Sequence, residues 1–279
     1  MKTPKRIQPL VEEGLIDEVL RQLMSGKEAT VYVVRCGDDI RCAKVYKEAT
    51  QRSFHQAVAY QEGRRVKNSR QARAMEKGTR YGRKVAEEVW QNAEVDALYR
   101  LASAGVRVPT PYICFEGVLL MELVTAADGN AAPRLNDVEL NRDSALMFHA
   151  MLLRQVMLML CAGIIHGDLS EYNILVDAHG PVIIDLPQAI DAASSSVAST
   201  MLERDVTNLA NFFGNVAPEL LGTQYGKEIW NLYRAGLLTP DSPLTGHVAA
   251  PVGPADVNAV IHEIELARQE EEDLLRRLQ

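Results

Sequence analysis

The 279-residue sequence predicts an α+β fold with two lobes: a β-rich N-terminal lobe over residues 1–122 and a mainly helical C-terminal lobe over 123–279. Short apolar runs separated by glycine-containing turns dominate the first third of the chain. From about Leu135 the apolar residues recur mainly at helical spacing. No internal repeat or long linker divides the chain, so we expect one domain with a cleft between its lobes, a usual place for a small-molecule site.

The strands of the N-terminal lobe are predicted from their turns. The runs Thr30–Arg35 and Arg41–Tyr46 lie on either side of a Gly-Asp-Asp turn at 37–39, which predicts a β-hairpin. The run Phe115–Val124 contains a Glu-Gly pair at 116–117 and predicts a second hairpin.

Helices are predicted from apolar spacing. Residues 11–24 predict a short opening helix, 86–103 a longer helix that ends at an Ala-Gly pair, and 257–279 a C-terminal helix. The stretch Ala145–Ile165 is the most apolar of the chain, but Arg154 near its middle would be costly inside a bilayer. We therefore expect a buried helix there and no membrane association.

Composition bounds the class of protein. The formal net charge of −7 argues against a generally basic nucleic-acid binder. The cysteines and histidines lack the spacings of zinc sites, and the cysteines show no disulfide framework. Because the N-terminus also lacks the apolar core of a signal peptide, we expect a soluble, cytoplasmic protein.

One segment departs from that acidic average. Residues 64–84 carry nine basic side chains and a single acidic one, a local charge of +8. Such a segment is either a solvated insert or a contact for an anionic partner, such as ribosomal RNA of the small ribosomal subunit or the phosphates of ATP.

Asp168, Asn173 and Asp185 carry the strongest chemical signal. Asn173 lies five residues after Asp168, and Asp185 follows two strand-like segments at 174–176 and 182–184. In phosphoryl transfer from ATP, one carboxylate orients the attacking hydroxyl and accepts its proton. A carboxamide and a second carboxylate hold Mg²⁺ against the phosphates, because hard cations take oxygen ligands. The pattern predicts Asp168 as the catalytic aspartate and Asn173 and Asp185 as metal ligands, with Mn²⁺ as an alternative metal.

The N-terminal lobe offers the complementary phosphate contacts. Lys44 lies in an apolar, strand-like run, from which it would reach the α- and β-phosphates of ATP. The turn before it would present backbone N–H groups to the phosphates, although it lacks both the Walker A pattern and the full Gly-x-Gly-x-x-Gly. The predicted nucleotide contacts of this turn are Ser25, Gly26, Lys27, Glu28, Ala29 and Val31.

Two further nucleotide contacts are predicted. Glu94, on the helix over 86–103, is the candidate ion-pair partner of Lys44, with Glu87, Glu88 and Asp96 as alternatives. At the junction of the lobes, the backbone of Glu122 and Val124 would bind the adenine edge, and Met121 would lie at the back of the pocket or belong to the core.

These segments together resemble the RIO family of atypical protein kinases, in particular its type-one branch. The resemblance extends from about residue 20 to 215. It is carried by Ser-Gly-Lys-Glu-Ala at 25–29, Ala-Lys-Val-Tyr-Lys at 43–47, Met-Glu at 121–122, His-Gly-Asp-Leu-Ser-Glu-Tyr-Asn at 166–173, Ile-Asp-Leu-Pro-Gln-Ala at 184–189 and Arg-Asp-Val-Thr-Asn at 204–208.

The resemblance implies a bilobal protein-kinase-like fold. It also implies ATP- and Mg²⁺-dependent transfer of the γ-phosphate to protein serine. The protein would phosphorylate itself as well, and Ser69 is the candidate site. The resemblance further implies an ATPase alternative in ribosome assembly, in which phosphate passes to the metal-binding aspartate, here Asp185. By the same resemblance Lys44 contacts phosphate, Glu94 pairs with it, and Asp205 braces the catalytic loop. Residues 186–188 read Leu-Pro-Gln where Val-Ser-Gln is usual, so the geometry of that loop is not predicted.

Two other functions stay open. A small-molecule kinase of the aminoglycoside-phosphotransferase type also contains His-Gly-Asp-x-x-x-x-Asn, but the motifs at 25–29 and 204–208 favour a RIO kinase. A non-catalytic assembly factor gated by ATP is the second alternative.

Overall fold

The computed structural model describes residues 3–26, 28–47 and 93–248. The described residues up to Gly246 belong to one compact unit. Its elements are α1 (Gln8–Glu12), β1 (Glu18–Ser25), β2 (Ala29–Cys36), β3 (Asp39–Tyr46), α2 (described over 93–103), β4 (Pro111–Phe115), β5 (Val118–Glu122), α3 (Arg142–Cys161), β6 (Ile164–Ile165), β7 (Ile174–Asp177), β8 (Gly180–Ile183), β9 (Ile190–Asp191), α4 (Ala198–Gly214) and α5 (Tyr225–Arg234), with 3₁₀ turns at Leu135–Asp137, Glu171–Asn173 and Pro218–Leu220.

The five described strands β1 to β5 form one antiparallel sheet in the order β1-β2-β3-β5-β4. β2 and β3 pair from Cys36 opposite Asp39 onward, and Gly37 supplies a positive φ of 62° in their turn. β4 and β5 are joined by Glu116 and Gly117, whose φ angles of 46° and 75° match the two-residue turn that fits the twist of a hairpin. Both predicted hairpins are confirmed.

Both faces of the sheet are covered by other parts of the chain. Successive side chains of a strand point to opposite faces, so alternate residues of β5 show what covers each face. On β5, Val118 and Leu120 pack in one cluster with Ile7 of the N-terminal segment. Leu119, between them, packs in the larger core with Leu98 of α2. The helix therefore lies against the face of the sheet opposite to that covered by the N-terminal segment.

α3 is the central helix of the C-terminal part. By length and composition it is apolar enough to cross a membrane, a property that core helices of globular domains share. Eight of its residues, among them Leu152, Val156 and Leu160, are buried against the rest of the protein. The prediction of a buried helix here is confirmed.

Two short antiparallel strand pairs frame the motif residues. β6 pairs with β9 at the outer ends of the segment that contains Asp168 and Asp185. β7 pairs with β8 inside that segment, as the apolar runs on either side of the 178–180 turn predicted. The β6–β9 pair therefore brackets the segment that contains both aspartates, and the β7–β8 pair lies between the two aspartates in the chain.

The opening helix predicted over 11–24 is wrong. The helix α1 has only five residues and overlaps this segment at Val11 and Glu12 alone, whereas Glu18–Ser25 form β1. β1 pairs with β2 through irregular register between Val19 and Arg21 and again between Gln22 and Met24. Such bulges interrupt the alternation typical of a strand, so the apolar spacing resembled that of a helix.

Several sequence predictions lie outside the described residues. They are the basic segment 64–84 with its candidate phosphorylation site, the first part of the helix predicted over 86–103, and the C-terminal helix. The predicted division into lobes at residue 122 stays a prediction, although the sheet does end there with β5.

Candidate active site

Lys44 lies at the centre of the sheet and contacts two carboxylates. On β3 it is opposite Val31 of β2 and Leu119 of β5. Its Nζ donates to Glu94 Oε1 at 2.5 Å and to Asp185 Oδ1 at 3.0 Å. Burial disfavours the lysine charge, but the adjacent carboxylates outweigh it and hold the pKa of Lys44 well above its usual value. Lys44 is therefore a fixed positive charge between the sheet and the motif residues.

The fold selects Glu94 among the four candidate partners of Lys44. Glu94 is only 4% exposed and faces the sheet from α2. Asp96 is exposed, since two positions along a helix turn a side chain to the far face. Glu87 and Glu88 lie outside the described residues.

Asp168 is exposed on the loop after β6, and Asn173 is attached to that loop by its side chain. Asn173 Nδ2 donates to the Asp168 carbonyl at 2.8 Å. Gln188 Nε2 lies 3.4 Å from Asp168 Oδ2. The carboxylate of Asp168 thus remains accessible while its backbone is fixed.

Asp205 on α4 anchors the backbone of the loop that carries Asp168. Its buried carboxylate accepts the N–H groups of Gly167 at 2.8 Å and Leu169 at 3.1 Å, the residues on either side of Asp168. Asn208 Nδ2 donates to the Leu169 carbonyl at 3.2 Å, and Arg204 donates to the Gly167 carbonyl. Burial raises the pKa of Asp205 despite these hydrogen bonds. One turn of α4 therefore fixes the backbone on both sides of Asp168.

Asp185 follows β8 in a left-handed conformation, with φ of 66°. Strain of this kind at a non-glycine residue is concentrated at functional sites. Its side chain is 46% exposed, and Lys44 outweighs the cost of burial to lower the pKa of Asp185, so the carboxylate is ionised. The loop at 186–188, whose geometry the sequence did not predict, is closed by a hydrogen bond from Ala189 N to the Leu186 carbonyl at 3.1 Å.

The β1–β2 turn is closed on itself. The Gly26 N–H donates to the Ala29 carbonyl at 2.9 Å. Lys47, at the end of β3, donates from Nζ to Ser25 Oγ at 3.1 Å and to the Gly26 carbonyl at 2.5 Å. Glu28 also joins β3 to this turn, because its carbonyl accepts the Lys47 N–H at 2.8 Å. Lys27 lies outside the described residues.

Met121, the last residue but one of β5, is half-buried against the larger core. Glu122 does not offer its side chain to the cleft, because that carboxylate accepts hydrogen bonds from Arg107 and Thr110. The Val124 carbonyl accepts the Ala132 N–H at 2.9 Å.

Sequence reasoning missed four polar side chains at this site. Lys47 and Gln188 contact predicted residues directly, Arg107 binds Glu122, and the charge of Arg134 contributes to the low pKa of Asp185. Lys47 and Gln188 lie within the recognised motifs, whereas Arg107 and Arg134 lie outside them. A single sequence offers no periodicity that marks a lone polar residue as a neighbour of a distant one.

The fold and the site together define a class. A buried strand lysine paired with a helix glutamate, an exposed loop aspartate fixed beside an asparagine, and an ionised aspartate after a short hairpin are the parts of a protein kinase. The prediction of a protein-kinase-like α+β fold is confirmed.

Comparison with known proteins identifies the family. The model of the RIO domain matches residues 30–225, and the chain belongs to this family. It is 36% identical to the RIO-type serine/threonine-protein kinase Rio1 of Haloferax volcanii over 209 residues, covering 74% of this chain and 67% of that relative. It is 28% identical to serine/threonine-protein kinase rio1 of Schizosaccharomyces pombe over 210 residues, and there it covers 73% of this chain but only 40% of the relative.

The fold is also that of a solved RIO protein. The Rio2 kinase of Chaetomium thermophilum, in its complex with ADP, Mg²⁺ and phosphoaspartate, superposes with a TM-score of 0.56 at 19% identity. The match covers 85% of this chain and 68% of that structure. The predicted membership of the RIO family is confirmed.

Proposed function

We propose that this protein is an ATP- and Mg²⁺-dependent serine/threonine protein kinase. The observation that carries the proposal is the position of Lys44, whose Nζ lies 2.5 Å from Glu94 and 3.0 Å from Asp185, together with the exposed Asp168 on the loop before the β7–β8 hairpin that leads to Asp185. The relatives named serine/threonine-protein kinases support this activity.

The residues present fit a magnesium ion. Asp185 is ionised and half-exposed, and Asn173 uses its Nδ2 toward the protein, so that its oxygen is the atom left to act as a ligand. Both are hard oxygen donors of the kind Mg²⁺ takes. Bound there, Mg²⁺ would neutralise the charge of the transferring phosphoryl group.

The other side chains have separate tasks. Lys44 binds the phosphates, and Glu94 keeps it in the direction of the cleft. The backbone at 122–124 holds the adenine edge. Asp168 orients the attacking serine or threonine hydroxyl and accepts its proton, while Asp205 keeps the loop backbone in place.

The test is incubation with γ-labelled ATP and Mg²⁺, followed by mapping of phosphorylated residues by mass spectrometry. Asp168→Ala and Lys44→Ala should abolish transfer while the Asp168→Ala protein keeps its circular dichroism spectrum. Asp143→Ala is the matched control, because this aspartate is 94% exposed on α3. Undiminished transfer by purified Asp168→Ala protein would overturn the proposal.

A second activity, ATP hydrolysis through a phosphorylated aspartate, is favoured by the exposure of Asp185 beside Lys44. The Chaetomium Rio2 complex contains a phosphoaspartate. Here an Asp185 oxygen would attack the γ-phosphorus, ADP would leave, and water would hydrolyse the acyl phosphate. Steady-state ATP consumption without a protein substrate, with hydroxylamine-labile phosphate on Asp185, measures this activity.

Autophosphorylation at Ser69, contact of segment 64–84 with ribosomal RNA or the small subunit, and a cytoplasmic location stay proposals. A salt-independent affinity for rRNA fragments would contradict the second, since contacts with several phosphates make binding fall steeply with salt.

A further inference from the structure

Three charged side chains form a cluster behind the proposed nucleotide site. The guanidinium of Arg107, on the loop between α2 and β4, binds Glu122 with two parallel hydrogen bonds, Nη1 to Oε2 at 3.0 Å and Nη2 to Oε1 at 2.8 Å. The same Nη2 donates to Asp177 Oδ2 at 2.7 Å. One cation therefore joins two carboxylates that are 55 residues apart in sequence.

The backbone of Arg107 belongs to the helical part. Its N–H donates to Gln155 Oε1 on α3 at 2.8 Å, and its carbonyl accepts the Ile183 N–H of β8 at 2.9 Å. The side chain reaches from there to Glu122, the last residue of β5. Arg107 thus links the helical part to the end of the sheet.

The two carboxylates meet at one guanidinium, but they belong to elements that lead to different parts of the proposed nucleotide site. Glu122 begins the segment whose backbone is proposed to bind adenine. Asp177 ends β7, which starts directly after Asn173, and β8 leads to Asp185. A change in the position of this hairpin would move both proposed metal ligands.

Both carboxylates of the cluster are largely shielded from water, so they depend on the positive charge of Arg107. Asp177 is 6% exposed and Glu122 25% exposed. Burial raises the pKa values of both acids, but the hydrogen bonds and charge of Arg107, together with the Thr110 donors on Glu122 and the backbone N–H donors on Asp177, lower them below their usual range. Without Arg107 two ionised groups would face each other with no cation between them, and they would separate.

Glu122 and Asp177 each have a second anchor besides Arg107. Glu122 Oε2 also accepts the Thr110 N–H and the Thr110 hydroxyl, both at 3.0 Å. Asp177 holds its own turn through Oδ1, which accepts the N–H groups of His179 and Gly180. Loss of Arg107 would therefore release one end from the other while each keeps its local structure.

We infer that Arg107 is a positioning residue that fixes the distance between the adenine end and the metal end of the nucleotide site. The inference rests on the proposed function. A ligand that touches one end alone would not depend on Arg107, whereas a nucleotide that spans both ends would.

The experiment compares two ligands by calorimetry, adenosine and MgADP. In Arg107→Met we expect MgADP to bind about tenfold more weakly, within the usual range of coupling between two sites, because the two ends would no longer be held at a fixed spacing, while adenosine affinity is retained. Asp177→Asn is the second variant: it keeps the Oδ1 acceptor of the turn but places an amide N–H against the guanidinium. It should show the same selective loss.

Arg154→Met is the matched control, because Arg154 forms an exposed ion pair with Asp241 and no hydrogen bond or ion pair with the cluster, all of whose residues the structure describes. The distance between its Nε and Asp241 Oδ1 is 3.0 Å. Equal weakening of adenosine and MgADP in both variants, or no weakening of MgADP, would overturn the inference. Failure of the unaltered protein to bind MgADP would instead overturn the proposed function, and the inference with it.

Discussion

Replacement of Lys44 by methionine tests how much the buried ion pair between Lys44 and Glu94 contributes to stability and how much to activity. Glu94 is 4% exposed, so water cannot solvate its carboxylate once the lysine is gone. Asp185 is 46% exposed and can be solvated. Removing one partner of a buried pair costs about 3–5 kcal/mol, and here nearly all of that cost arises at Glu94.

The double variant Lys44→Met/Glu94→Leu separates the two contributions. It removes the unpaired charge along with the pair, and replacement of a buried pair by apolar groups is often neutral. We expect it to recover most of the lost stability. The single variant Glu94→Gln should lose only about 1–2 kcal/mol, since Lys44 keeps Asp185 at 3.0 Å.

The assay is urea denaturation at pH 7, with midpoint and slope recorded for each variant, beside transfer from γ-labelled ATP. Stability should fall most in Lys44→Met, whereas transfer should be absent in both variants that lack the lysine. Equal stability of Lys44→Met and the double variant would refute the reasoning, because Glu94 would then not depend on a cation.

Three further predictions follow from single residues. Gly167→Ala should lower both stability and transfer, because φ is +81° and the new Cβ would lie 2.5 Å from the Gln188 carbonyl oxygen. Gly105→Ala is the control, because its φ is +80° but no atom of the described residues lies within 4 Å of the new Cβ. It should cost only the backbone strain of about 1–2 kcal/mol. Burial lowers the pKa of His149 to about 4 from an ordinary 6.5, so its contribution to stability is complete above pH 6.5 and about 3 kcal/mol is lost as the pH falls to 4. Asp205→Ala should cost about 2–5 kcal/mol and reduce transfer, since it leaves two loop N–H groups without an acceptor.

Each of these has a clear contrary result. Equal activity of the two glycine variants would show that the contact with Gln188 does not constrain the loop. An unchanged pH dependence of urea unfolding in His149→Leu, whose side chain cannot titrate, would show that this histidine is not the group responsible. Full transfer by the Asp205→Ala protein would show that the loop backbone needs no brace.

Local chemistry in the sequence was enough for the hairpins and for the order of the motif residues. The turns at 37–39 and 116–117 combine glycine with acidic residues, and glycine supplies positive φ angles that these turns need. The helix predicted over 11–24 was wrong because its residues from Glu18 onward form a strand that pairs with β2. The irregular pairing of β1 depends on β2, and no local spacing reveals it.

The partners of the charged groups were decided by tertiary structure. Lys44 and Glu94 are 50 residues apart, and Lys44 and Asp185 are 141 apart. The sequence named the lysine and offered four glutamates and aspartates as partners. Only the packing of α2 against the sheet turned Glu94 inward and Asp96 outward.

By itself, then, the sequence determined the α+β class, the family and the residue types of the site, because these depend on motifs read along a continuous stretch of chain. The tertiary structure alone decided that Asp205 accepts both N–H groups around Asp168, and that Arg107 joins Glu122 to Asp177. Hydrogen bonds and ion pairs act over about 3 Å in space, a distance that separation along the chain does not record.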